Sequence, residues 1–66
     1  MKKKDLEKIA GKIARAERTI RESSNEKEIA NAKMEIMRVS ESVQSLEDMM
    51  LLDDLIQEKL KKILTL

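Results

Sequence analysis

Residues 29–50, IANAKMEIMRVSESVQSLEDMM, carry the longest regular spacing of apolar residues in the sequence. The apolar side chains of this stretch are spaced alternately three and four residues apart, at Ile29, Ala32, Ile36, Val39, Val43, Leu46 and Met50. Because 3.6 residues make one helical turn, this spacing places all of them along one face of a helix. Charged residues such as Lys33, Glu35 and Glu41 fall off that face. The stretch therefore predicts an amphipathic helix over about residues 25–46.

The segment that precedes it repeats the pattern, with apolar residues at Leu6, Ile9, Ile13, Ala16 and Ile20. This predicts a first helix over about residues 4–22. Residues 23–25 are Ser, Ser and Asn, whose short side chains bond to nearby backbone amides at turns and helix starts. We expect a turn there. Because so short a connection places consecutive helices side by side, the two helices are predicted to form an antiparallel hairpin.

The apolar pattern changes phase beyond the second helix. The later stripe, turned by about 140° from the earlier one, consists of Met49, Leu52, Ile56, Leu60 and Ile63. Two interpretations are open. The helix breaks near Ser45–Asp48, whose spacing is that of a helix cap, and a third helical segment covers about residues 48–64. Alternatively, one long or kinked second helix presents two faces to two neighbours. Either way, residues 1–66 form a single all-α domain of two or three helices.

The chain is short for the apolar surface that it carries. It has 66 residues and no aromatic side chain, and aromatic residues normally supply much of a small core. Domains of this size bury only about 60% of their unfolded surface. We therefore expect a second chain, either a copy that completes a dimeric helical bundle or coiled coil, or a different helical protein. The predicted helix-packing interface is Leu6, Ile9, Ile13, Ala16, Ile20, Ile29, Ala32, Ile36, Val39, Val43, Leu46 and Met50.

Composition also narrows the possible chemistry. The sequence contains no Cys, His or Pro, which excludes disulfides, Cys/His zinc sites and thiol–imidazole catalytic pairs. The paired acids Glu47-Asp48 and Asp53-Asp54 are adjacent, and adjacent helical side chains point about 100° apart. They do not converge on one proton. We expect no enzyme activity, no catalytic residue, no cofactor, no metal and no small-molecule substrate.

The third segment offers a candidate partner patch: Met49, Leu52, Leu55, Ile56, Leu60 and Ile63. Helices that dock in grooves present apolar residues at this spacing. The alternative is that the same residues complete the core of the monomer or of a homodimer.

The first helix carries a candidate face for anions or nucleic acid: Lys4, Lys8, Lys12, Arg15 and Arg18. Residues 1–22 hold eight basic and four acidic side chains, whereas residues 23–58 hold three and nine. A row of cations suits a phosphate backbone, because each neutralised phosphate releases a counterion. The alternative is an ordinary solvated face, since the chain as a whole carries a net charge of only +1. Gly11, in the middle of this helix, falls on the basic side and would allow a phosphate or a backbone to approach closely. The alternative is a tolerated surface glycine.

These patterns favour a non-enzymatic helical interaction module that acts by helix–helix association with itself or with another protein. Such a module would serve as an adaptor, an assembly subunit or a regulator. The alternative function is a small nucleic-acid-binding regulator that uses the basic face of the first helix. The longest apolar run is Met49–Leu52, far shorter than signal peptides or membrane-spanning helices need. We expect an intracellular, cytoplasmic protein that does not bind membranes, and the nucleus is left open.

Overall fold

The structure is a computed structural model that describes residues 2–64 and consists of three helices: α1 (Lys3–Glu22), α2 (Glu26–Ser40) and α3 (Leu46–Leu64). No strand occurs in this range. The all-α prediction is confirmed. The interpretation with one long second helix is wrong, because residues 41–45 separate α2 from α3.

The first connection is residues 23–25. The α1 helix ends where the backbone amide of Ser23 donates to the carbonyl oxygen of Thr19 at 2.9 Å. Asn25 caps α2: its Oδ1 accepts from the backbone amides of Lys27 at 2.9 Å and Glu28 at 3.3 Å. The Ser23 hydroxyl donates to a carboxylate oxygen of Glu28 at 2.7 Å. Local polar side chains therefore satisfy the backbone donors that a helix start leaves open.

The second connection falls earlier than the sequence pattern predicts, since α2 ends at Ser40 and not near residue 46. Bonds between residues three apart replace the helical ones there: Ser42 N–H donates to the carbonyl of Val39, and Val43 N–H to that of Ser40. The Ser42 hydroxyl also donates to the carbonyl of Val39, at 2.7 Å. Serine hydroxyls compete in this way for backbone groups. The carbonyl groups of Val39 and Ser40 accept these shorter-range bonds, and α2 ends there although the apolar spacing of the sequence continues.

The central element is α1, which packs on α2 along one side and on α3 along the other. Within the described residues, no Cα atom of α2 lies within 8 Å of a Cα atom of α3. The two outer helices therefore flank α1 without closing into a compact bundle. The molecule measures 34 × 26 × 15 Å, and its radius of gyration is 11.9 Å. A compact chain of this length has a radius of gyration of about 10.8 Å, so the fold is more open than usual.

The core lies mainly between α1 and α3. Its buried members are Leu6, Ala10, Ile13 and Ala14 of α1, Val43 of the second connection, and Leu52, Leu55, Ile56 and Leu60 of α3. The α2 helix contributes one buried residue, Ala32, beside the half-buried Ile36 and Val39. Most of the apolar burial therefore comes from the α1–α3 pair.

None of the helices, over the residues that the structure describes, is long and apolar enough to cross a membrane.

Candidate functional site

The structure places the predicted helix-packing residues in two groups. Those of α1 and α2, together with Val43, are buried or half-buried: Leu6, Ile9, Ile13, Ala16, Ile20, Ile29, Ala32, Ile36, Val39 and Val43. The last two, Leu46 and Met50, are 72% and 64% exposed. The reason is the break at residues 41–45, which starts a new helix with a different orientation. Within a single chain, Leu46 and Met50 therefore lie outside the core.

The candidate partner patch of the third segment is largely covered by the chain itself. Leu52, Leu55, Ile56 and Leu60 belong to the core, and Ile63 packs against it half-buried. Met49 is the exposed member. The change of phase in the sequence thus has a simple cause: α3 is a separate helix, and its apolar stripe turns towards α1.

An open groove remains between α2 and α3, on one side of α1. It has a volume of about 320 Å³. We call it the apolar groove, and its lining residues are Ile13, Glu17, Ile36, Ser40, Val43, Met49, Leu52, Asp53 and Ile56. Two carboxylates, those of Glu17 and Asp53, are the charged groups in this lining. Its apolar walls come from all three helices, so the groove exists because α2 and α3 stay apart.

Large apolar side chains are exposed next to this groove. Met49 and Met50 follow Leu46 by three and four residues on the first turns of α3, so all three lie on one side of that helix. We call them the α3 patch, and Met49 also lines the apolar groove. A second exposed pair, Met34 and Met37, lies on α2 beside Arg38 and Glu41. Methionine side chains adapt to irregular partner surfaces.

The opposite side of α1 carries the predicted basic face. Arg15 is two residues from both Ile13 and Glu17, which turns it about 200° around the helix from them. The side chains of Lys4, Lys8, Lys12, Arg15 and Arg18 are all exposed. The wheel position of these residues puts them on the side of α1 away from the apolar groove.

Between α1 and α2, this side has a groove of about 460 Å³ in which charges of both signs meet. Lys12 and Arg15 of α1 face Glu28 and Glu35 of α2 across it. The acidic residues of α2 thus neutralise the α2 edge of the basic face. Arg18 is also paired, since its Nε donates to a carboxylate oxygen of Glu22 at 3.1 Å.

Between α1 and α3, the same side has a smaller groove of about 270 Å³ with a different charge balance. We call it the basic groove, and its lining residues are Gly11, Arg15, Lys59, Lys62 and Ile63. Three cations meet there, and none of the described residues in the lining carries a carboxylate. Helical periodicity does not predict Lys59 and Lys62 as members of this site, because only the packing of α3 on α1 brings them to Arg15.

The described residues include no buried polar or charged side chain and no group of three or more His, Cys, Asp or Glu residues placed to hold a metal ion. Comparison of the chain with protein-family models, with curated proteins and with solved structures finds no match.

Proposed function

We propose that this protein is a small helical interaction module that acts by associating with a second copy of itself through the apolar groove and the α3 patch. The antiparallel α1–α2 hairpin is part of the proposal. A three-residue connection supports it, because short links join neighbouring helices that run in opposite directions.

The surface area of the single chain carries this proposal. The accessible surface is 5184 Å², whereas a compact monomer of 7.6 kDa has about 4,300 Å². The excess is roughly 900 Å², and one partner in a standard protein interface buries about 800 Å². A single chain of this fold therefore exposes as much extra surface as a stable interface removes.

The chemistry of the surface points to the same partner. Leu46 and Met50 are large, apolar and exposed. They share one side of α3 with Met49, which lines a groove with mostly apolar walls. Both the α3 patch and the apolar groove are apolar. In a twofold dimer, the α3 patch of each copy would lie against the apolar groove of the other, so the same contact would form twice. This also accounts for the sequence, in which Leu46 and Met50 keep the apolar spacing of the residues before them.

Sedimentation equilibrium from about 1 µM to about 500 µM, with helicity measured at each concentration, tests the proposal. We expect a dimer that dissociates on dilution. The double variant Leu46→Glu/Met50→Glu should remain helical and sediment as a monomer, because both side chains are exposed in the single chain. The matched control is Met34→Glu/Met37→Glu, which changes two equally exposed side chains on α2 and should still dimerise.

A helical wild-type monomer over the whole concentration range would overturn self-association. Loss of the dimer in the α2 control, with the dimer intact in the α3 variant, would place the interface on the other methionine pair and contradict the proposed surface.

A further inference from the structure

We propose that the basic groove between α1 and α3 binds the phosphate backbone of duplex nucleic acid. The surface lies on the side of α1 away from the apolar groove. It therefore stays open in the proposed dimer, and it does not depend on that dimer forming.

The arrangement of charge selects this groove over the rest of the basic face. Among the described residues, the lining brings Arg15 together with Lys59 and Lys62 and contains no carboxylate. Arg15 also borders the groove towards α2, where Glu28 and Glu35 face it and Lys12, so the two lysines of α3 are the cations without a facing acid. A polyanion gains most where cations from two elements converge without carboxylates between them. A bound polyanion is therefore expected nearer to α3 than to the middle of α1.

Gly11 in this groove has no structural explanation within the fold. It lies inside α1, where glycine is less stable than alanine by about 1 kcal/mol. A Cβ atom built there would meet only Arg15 Nη2, at 4.0 Å, and Gly11 does not have a positive φ. The Arg15 Nε donates to the carbonyl oxygen of Gly11 at 3.2 Å, which holds the guanidinium over the glycine. The missing side chain at position 11 leaves open space beside this guanidinium, into which a phosphate bound to Arg15 would fit.

The composition distinguishes duplex from single-stranded partners. Proteins that hold single strands stack the bases on aromatic side chains, and this sequence has none. Contacts limited to phosphates are independent of base sequence and follow the salt concentration. Three cations at the groove predict a slope of about −3 when the logarithm of the binding constant is plotted against that of salt.

The test is fluorescence anisotropy of the full chain with labelled RNA and DNA duplexes, repeated over a series of salt concentrations starting near 50 mM. The groove variant is Lys59→Gln/Lys62→Gln. The matched control is Lys33→Gln/Arg38→Gln, which removes the same net charge from exposed positions on α2. We expect the groove variant to reduce the salt slope by about 2 units, one for each lost phosphate contact, and the control to keep it.

Absence of duplex binding by the wild type overturns the proposal. An equal loss in the groove variant and the control also overturns it, because that result indicates attraction by overall charge. Tighter binding to vesicles of phosphatidylglycerol or to a single strand than to either duplex would show that the groove serves a different anion.

Discussion

Replacing Leu6 with alanine is expected to lower the free energy of unfolding by about 3 kcal/mol. Leu6 is the largest side chain that the structure buries completely, with 0% of its surface exposed. Truncation removes three carbon atoms from the core, and each is worth about 0.8 kcal/mol of transfer free energy. The cavity left behind raises the total, since leucine-to-alanine changes in cores cost about 2.7 to 5 kcal/mol.

This loss is large relative to the stability of so small a protein. At about 0.05 to 0.15 kcal/mol per residue, the 66-residue chain has a total of about 3 to 10 kcal/mol. A change of 3 kcal/mol should lower the melting temperature by more than about 12 °C. The assay is urea denaturation followed by far-ultraviolet circular dichroism, at a concentration low enough to keep the chain monomeric.

Leu46→Ala is the matched control, because it makes the same chemical change at a side chain that is 72% exposed. In the monomer it should alter the free energy of unfolding by less than about 0.5 kcal/mol. An equal loss from the two substitutions would contradict the exposed position of Leu46, since it would mean that the row of packed apolar residues continues through residue 46. A loss below about 1 kcal/mol for Leu6→Ala would show that the core is not closed around it.

Two further substitutions test the local structure of the helices. Gly11→Ala should raise the free energy of unfolding by about 0.5 to 1 kcal/mol, because a Cβ atom has room there, and a lower melting temperature would contradict this. Asn25→Ala should lower the free energy of unfolding by about 1 kcal/mol, because it removes the side chain that accepts from two backbone amides at the start of α2. The control for that change is Asn31→Ala within the same helix, and an equal loss in both variants would argue against the cap.

The helices that depend on local interactions were predictable from the sequence. The connection at residues 23–25 follows from Asn25, whose cap uses amides only two and three residues away. The early end of α2 was not predicted, although Ser40, Ser42 and Ser45 mark the connection. The reason lies in Val43, which is buried without being helical. Because Val43 fits the apolar spacing, that spacing runs on through residues 41–45 and gives no sign that the helix ends there.

The grooves were less predictable, because they depend on how α3 packs. The sequence showed the apolar stripe of Leu52, Ile56 and Leu60, but not that α1 of the same chain covers it. It also showed the basic face of α1 from helical periodicity alone. The approach of Lys59 and Lys62 to Arg15 joins residues more than forty positions apart, and nothing in the local pattern specifies such a contact.

The contact between α1 and α2 includes two buried alanines, Ala16 and Ala32. Side-chain size at a helix contact sets the distance between the axes, within a range of about 8 to 10 Å. Because α2 also forms a wall of the apolar groove through Ile36 and Ser40, a valine in place of either alanine would move that wall outwards. The width of the apolar groove therefore depends on the size of two side chains, Ala16 and Ala32, that do not line it. A descendant of this sequence could change its preferred partner while the lining of the groove stayed the same.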